Sequence, residues 1–165
     1  MSVLNFPELI KSKIVDKEQL FRHIMQAHLL DRKIVFTNGC YDIIHRGHIE
    51  LLCKAAMLGD LMIVGLNSDL SVKSIKGSDR PVQDEMTRAM VLASMRVVDL
   101  VILFDEDTPY ELIKFIQPDV LVKGGDYQIK DIAGSDIVEA SGGKVVTIEL
   151  LEGYSTTNIL KKICK

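Results

Sequence analysis

Apolar positions along this chain fall into short blocks that switch between two periods. Over residues 16–30, Leu20, Phe21, Ile24, Met25 and Ala27 recur at helical spacing, and Asp16 is placed to cap the first turn. Residues 33–37 (KIVFT) form a β-branched and aromatic run that ends in the turn formers Asn38 and Gly39, which predicts a strand. Ile49, Leu51, Leu52, Ala55, Ala56 and Leu58 predict a buried helix over 47–58, with Gly59 where a left-handed cap is favoured. A strand follows over 61–66, then a polar stretch over 67–83, a helix over 84–96 and a strand over 100–104. Thr108 and Pro109 open a helix that runs to 116, and strands are expected over 120–122 and, after Gly142 and Gly143, over 144–148.

Five apolar strands that alternate with helices imply a parallel sheet covered on both faces. The expected architecture is an α/β, doubly wound, five-stranded Rossmann-like sheet in a single domain over 1–165, with a lead-in helix within 1–31 and a core over 32–165. The flexible parts are expected to be the first few residues, 73–79 and 127–136. With 165 residues and 47% hydrophobic content the chain can bury one continuous core. A net charge of -3 gives no long-range attraction for nucleic acid or an anionic membrane surface, and 5% aromatic residues disfavour a groove that tracks a nucleic-acid backbone. No run approaches the roughly 20 apolar residues of a membrane span, so a cytoplasmic location is expected. Cys40, Cys53 and Cys164 form neither an even disulfide set nor a metal knuckle, so reduced thiols are expected, with Cys40 and Cys53 in packing roles.

In open parallel sheets, ligands bind beyond the carboxyl ends of the strands. The loop after the first predicted strand reads Thr37-Asn38-Gly39-Cys40-Tyr41-Asp42, then Ile43-Ile44-His45-Arg46-Gly47-His48. Gly39 permits a tight turn, and the helix entry near Gly47 offers free amides and a positive dipole end to a phosphate. His45 and His48 are three residues apart and can face one cavity. An isolated histidine here is more often a cap or a core residue, and zinc would need three or four ligands, which the sequence does not gather, so no metal site is expected. Asp42 is read equally as a turn or cap residue and as an active-site carboxylate. The polar stretch Asn67, Ser68, Asp69, Lys73, Lys76, Gly77, Arg80 falls at the same end of the sheet; by composition alone its lysines are a solvated face. Ser155, Thr156 and Thr157 precede the last helix, where a capping role alone would account for them.

His45-Arg46-Gly47-His48, directly after a strand and a glycine turn, resembles the HxGH signature of the cytidylyltransferase-like nucleotidyltransferases. The resemblance implies in-line attack of an acceptor phosphate on the α-phosphorus of a nucleotide, with pyrophosphate leaving and no protein nucleophile. It implies that His45 and His48 contact the triphosphate, that Lys76, and after it Lys73, reaches the phosphates from a mobile lysine loop, and that Arg88 supports the triphosphate site. Gly153-Tyr154-Ser155-Thr156-Thr157 resembles the second signature, whose hydroxyls and helix amides bind the β- and γ-phosphates; a glycerol-3-phosphate cytidylyltransferase pattern would carry Arg-Thr where this chain has Leu150-Leu151.

FTNGCYDIIHRGH, GLNSDLSVKSIKG, DRPV, FDEDTPYELI, PDVLVKGGDY, IAGS and STTNI, in order from Phe36 to Ile159, resemble the ADP-heptose synthase nucleotidyltransferase domain. That implies a stand-alone adenylyltransferase that uses ATP and D-glycero-D-manno-heptose 1-phosphate, with Mg²⁺ bridging the phosphates, in lipopolysaccharide or surface-glycan synthesis. Lys123, Gly124 and Asp126 of the VKGGDY block would approach nucleotide or sugar; a plain glycine turn is the alternative. The partners expected are a nucleotide, a sugar phosphate and a second copy of the chain in a dimer, with neither nucleic acid nor membrane. Two other functions stay open: cytidylyl transfer to glycerol 3-phosphate or an alditol phosphate, and a non-catalytic nucleotide sensor.

Overall fold

A computed structural model describes residues 5–125, 127–151 and 153–163, without the side chains of Asn158 and Lys161. Asp126 and Cys164 therefore lie outside the described residues. The chain runs α1 (Phe6–Lys11), β1 (Ile14–Val15), α2 (Lys17–Leu29), β2 (Ile34–Gly39), α3 (Arg46–Ala56), β3 (Leu61–Asn67), α4 (Asp69–Lys76), α5 (Glu85–Ala93), β4 (Leu100–Phe104), α6 (Tyr110–Ile116) and β5 (Val120–Gly124). A 3-10 turn over Ile129–Asp131, α7 (Ser135–Ala140), β6 (Lys144–Ile148) and α8 (Thr156–Ile163) complete it.

All strands pair in parallel, in the order β1-β4-β3-β2-β5-β6. Among the described residues the sheet thus has six strands, not five. The extra strand is β1, a two-residue edge too short to show a period in the sequence. Its partner β4 fixes it through the ladder pairs Ile14 with Val101 and Val15 with Ile102, and the Lys13 ammonium donates to the Val98 carbonyl at 2.7 Å.

Both sheet faces are apolar because side chains alternate along each strand. Ile34, Phe36, Ile63, Leu100, Ile102, Phe104 and Leu121 point to one face, where α2, α6 and α7 cover them with Leu20, Ile24, Leu112, Ile113 and Val138. Val35, Met62, Val64, Leu66, Val101, Val120 and Val122 point to the other, under Leu51, Leu52 and Ala55 of α3 and Ala89, Leu92 and Ala93 of α5. α2 begins with a reciprocal cap: the Gln19 amide donates to Asp16 Oδ1 at 2.8 Å, and Asp16's own amide donates to the Gln19 side chain at 3.0 Å. No described helix is long and apolar enough to cross a membrane.

Two local expectations change. The stretch 67–83 is not a loop throughout: Ser68 caps α4, which carries both Lys73 and Lys76. The polar exterior of α4 hid a helix whose inner face buries only Ser71 and Val72. Gly59 is not a left-handed cap, since its φ is not positive. It is required by crowding, because a Cβ there would lie 2.7 Å from both the Lys33 carbonyl oxygen and a Val35 methyl. Backbone oxygen cannot swing aside as a side chain can, so Gly59→Ala is expected to destabilise the fold by about 1–3 kcal/mol, read as a lower urea midpoint at unchanged m-value.

Candidate active site

β2 leads to β3 on one side, whereas its other neighbour β5 leads away to β6. The sheet's winding reverses between these two strands, and such a reversal opens a crevice at the carboxyl ends. A cleft of about 520 Å³ lies there. Asn38, Gly39, Cys40, Tyr41, Asp42 and His48 line its floor; Asn67, Lys76 and Arg80 come from the β3 side, and Lys123, Thr156 and Thr157 from the β5–β6 side.

The loop after β2 is held tightly. Tyr41 takes a left-handed φ of 44°, rare for a bulky residue, and its buried ring meets His48 edge-on at 5.2 Å between centroids. His45 is the extended N-cap of α3, and its ring stacks on His48 at 3.8 Å between centroids and 18° between planes. Gly47 allows this wrap, since a Cβ there would lie 3.2 Å from the His45 ring and 3.5 Å from Cβ of Tyr154. The start of α8 closes over the same loop: the Thr156 hydroxyl donates to the Ile43 carbonyl at 3.4 Å, and the Arg46 guanidinium lies 5.9 Å from the Tyr154 ring centre.

Burial, which strips hydration from the charged ring, and the neighbouring His45 hold the His48 pKa down at about 4, against a weaker upward pull from the Ile43 backbone. Burial also lowers that of His45. Both imidazoles are therefore neutral at pH 7, and both Nδ1 atoms are buried without a hydrogen-bond partner among the described residues. Buried polar atoms without a partner are costly, which marks the stacked pair as a site that packing alone does not explain.

Asp42 is buried, lines the cleft and binds the loop that follows α4. Its carboxylate accepts the Arg80 Nε at 2.6 Å and the amides of Val82 and Gln83 at 2.9 and 3.0 Å, while its own carbonyl accepts the Gln83 side-chain amide at 2.9 Å. Burial pushes its pKa up, but the Gln83 and Val82 amides and Arg80 outweigh that and hold it below the usual carboxylate value. Lys123 is bound to Asn38 Oδ1 at 3.1 Å, and burial lowers its pKa. Cys40 and Cys53 are half-buried free thiols; Cys40 does more than pack, since it lines the cleft, and burial raises its pKa.

Other sequence candidates stand away from the cleft. Arg88 is fully buried: Nε donates to the Gln83 carbonyl at 3.0 Å, Nη1 to the Cys40 and Asn67 carbonyls at 2.7 Å each, and Nη2 to Asp69 at 2.7 Å. It ties the walls together from behind and does not line the cavity. The Thr37 hydroxyl is spent on the Val122 carbonyl at 2.9 Å, joining β2 to β5. Gly124 is a packing glycine, because Leu51 and Leu150 occupy the space a Cβ would need. Lys73 is exposed on α4 and is not part of the lining, and Ser155 lies outside it too, its carbonyl accepting the Ile159 amide at 3.1 Å.

Asn67 and Arg80, read from the sequence only as part of the polar stretch, and Ile75, Asp107, Thr108, Pro109, Tyr127 and residues 131–133, given no site role there, also line the cleft. Asn67 and Arg80 stood in the polar stretch and DRPV motif, and 107–109 in the EDTP block, but no residue pattern distinguishes a lining residue from a solvated one. Among the described residues no three His, Cys, Asp or Glu side chains gather as a metal cage.

A family model described as Cytidylyltransferase-like matches residues 36–162. The chain belongs to the cytidylyltransferase-like family. It is a nucleotidyltransferase. Among its relatives, the Bifunctional protein HldE of Caulobacter vibrioides is 54% identical over 151 residues, 92% of this chain and 31% of that protein. The HldE of Campylobacter jejuni subsp. doylei is 54% identical over 153 residues, 93% of this chain and 32% of that one. This chain thus spans about a third of the length of the curated relatives it matches. The lipopolysaccharide core biosynthesis protein of Thermoplasma volcanium superposes with a TM-score of 0.58 at 26% identity, covering 75% of this chain and 99% of its own. Pantoate-beta-alanine ligase of Francisella tularensis shares the fold at 18% identity, with a TM-score of 0.57, over 89% of this chain and 75% of its own.

The depressed imidazole values have a pH consequence. Between the ordinary histidine pKa of 6.5 and the folded value of about 4, the unfolded chain binds more protons at His48 than the folded one. Stability contributed by keeping the ring neutral is complete above 6.5 and falls as pH drops through that window. Urea midpoints of the unliganded protein are expected to decline from pH 6.5 to 4.5, and His48→Gln to flatten that decline; an equally steep slope in the variant would assign it to other groups.

Proposed function

We propose that the chain transfers AMP from ATP to D-glycero-D-manno-heptose 1-phosphate, giving ADP-heptose and pyrophosphate. The observation that carries this reading is the meeting of His48, Lys76, Lys123, Thr156 and Thr157 around one cleft. The VKGGDY and EDTP blocks, and relatives named HldE at 54% identity across nine-tenths of the chain, support the choice of substrates.

An oxygen of the acceptor phosphate attacks the α-phosphorus, the new oxygen–phosphorus bond forms, and the bond to the β-phosphate oxygen breaks with its electron pair leaving on pyrophosphate. Such a transfer needs positioning and charge neutralisation rather than a protein nucleophile. Neutral His48 donates a ring N–H to a phosphate oxygen from the cleft floor, and His45, stacked on it at 3.8 Å between centroids, backs that ring. The hydroxyls of Thr156 and Thr157 and the free amides at the starts of α3 and α8 hold the β- and γ-phosphates. Lys123 and Lys76 supply the cations. Mg²⁺ enters as part of the substrate, complexed to ATP.

Donor choice draws on Leu150. Where a cytidylyl pattern would place a guanidinium, this apolar side chain packs against Gly124 and Gly125, and that favours ATP over CTP. The same reading includes a cytoplasmic location, and a homodimer contact through the exposed Phe21, Met25 and Leu29 of α2.

Pyrophosphate release from ATP or CTP, each with heptose 1-phosphate or glycerol 3-phosphate, tests the assignment. ATP with the heptose phosphate is expected to give the highest kcat/KM; turnover with CTP and glycerol 3-phosphate alone would overturn it. His48→Ala is expected to lower kcat by roughly a hundred- to a thousand-fold with nucleotide still bound, as for loss of one donor to a developing oxyanion. A loss below ten-fold would remove His48 from the transition state.

A further inference from the structure

The cleft has two cationic flanks, divided by β2. Lys123 sits near the end of β5, and Thr156 and Thr157 open α8 after β6 in the chain, so this flank lies on one side of the central strand. Lys76 and Arg80 belong to the segment after β3, on the other side. In-line displacement requires the attacking oxygen and the leaving group to be on opposite faces of the α-phosphorus. If the pyrophosphate end is held by His48, Thr156 and Thr157, the acceptor phosphate must enter from the flank of Lys76 and Arg80.

These two cations are unlike. Lys76 is exposed at the end of α4, on a flexible stem. Arg80 is gripped. Its Nε is bound by Asp42 at 2.6 Å, its side chain is 18% exposed, and the Asp42 side chain is 1% exposed. The next residues of the loop are fixed to the same carboxylate, through the Val82 amide at 2.9 Å and the Gln83 amide at 3.0 Å. Among the described residues no partner engages the terminal nitrogens Nη1 and Nη2 of Arg80, and the residue borders the cavity. A guanidinium held by one edge with its other nitrogens unspent is preorganised for a phosphate, and little side-chain entropy is left to lose on binding.

We propose that Arg80 is the residue that binds the acceptor's phosphate monoester, with Asp42 as the positioning residue that aims it. This rests on the reading of the chain as a transferase to a sugar phosphate. The pair was inconspicuous in the sequence because Asp42 and Arg80 are 38 residues apart and separated by β3 and α4. Alone, Asp42 reads equally as a turn residue or an active-site carboxylate, and Arg80 as one more charge of a polar stretch.

The test compares the full chain with Arg80→Ala, Arg80→Lys and Asp42→Asn, by steady-state kinetics and by calorimetric titration with a non-hydrolysable ATP analogue. Arg80→Ala is expected to raise the KM for the sugar phosphate roughly ten- to a hundred-fold, the range for a lost hydrogen bond to a charged group, while analogue affinity changes less than two-fold. Arg80→Lys keeps a cation for Asp42 and so preserves the loop; it is expected to recover part of the acceptor KM, because a point charge lacks the fork. Asp42→Asn is expected to raise the acceptor KM in the same direction. Equal losses for acceptor and analogue in Arg80→Lys, or no change in either, would overturn the assignment. If the wild-type chain turns over no sugar phosphate, the transferase reading fails by itself, and inorganic phosphate titrated into the analogue-bound protein decides Arg80: ten-fold weaker binding in Arg80→Lys supports it, and unchanged or undetectable wild-type binding sinks it.

Discussion

A parallel sheet sends the carboxyl end of every strand to one edge, and this chain's winding reverses between β2 and β5 on that edge. From this constraint the site follows. The loop after β2 has no adjoining crossover above it on the β5 side, so a crevice stays open where helix starts and strand ends converge. Residues far apart in sequence, such as Asp42, Arg80, Lys123 and Thr156, become neighbours only because their strands are arranged in this order.

The two edges of the sheet carry different polar chemistry. At the amino edge, three aspartates close the ladder by accepting amides of neighbouring strands: Asp60 from Lys33, Asp99 from Met62, and Asp119 from Ile34, at 2.7–2.9 Å. These carboxylates do structural work away from the cleft. At the carboxyl edge, the cleft takes cations from Lys76, Arg80 and Lys123 and the neutral His48 in its floor, with His45 stacked on that ring. Segregated in this way, an acidic chain still presents a local field suited to polyanions.

Rigidity at the carboxyl edge comes from one arginine behind it. Arg88 bonds carbonyls at the ends of β2 and β3, the Gln83 carbonyl ahead of α5, and Asp69 at the head of α4. Its burial without a cavity-lining atom makes it a brace, and the Asp42 anchor fixes the next loop in the same region. Together they leave the cleft shaped in the absence of ligand, so binding energy need not be spent on ordering it.

Much of this was legible in the residues themselves. Continuous apolar strands such as Ile34–Gly39 and Leu61–Asn67 can only be buried on both faces, and glycine turns and caps punctuate the helices between them; periodicity and turn chemistry are local properties, and they carry the layer order. HxGH announced itself because its histidines and glycine are contiguous. What sequence could not decide was long-range or volumetric. A two-residue edge strand is too short to have a period, Gly59 and Gly124 are needed because of side chains and carbonyls that fold back on them, and Arg88 and Arg80 look alike on paper. Burial turned one arginine into a brace and left the other facing the cleft, and that difference arises only when strands far apart in the chain are set side by side.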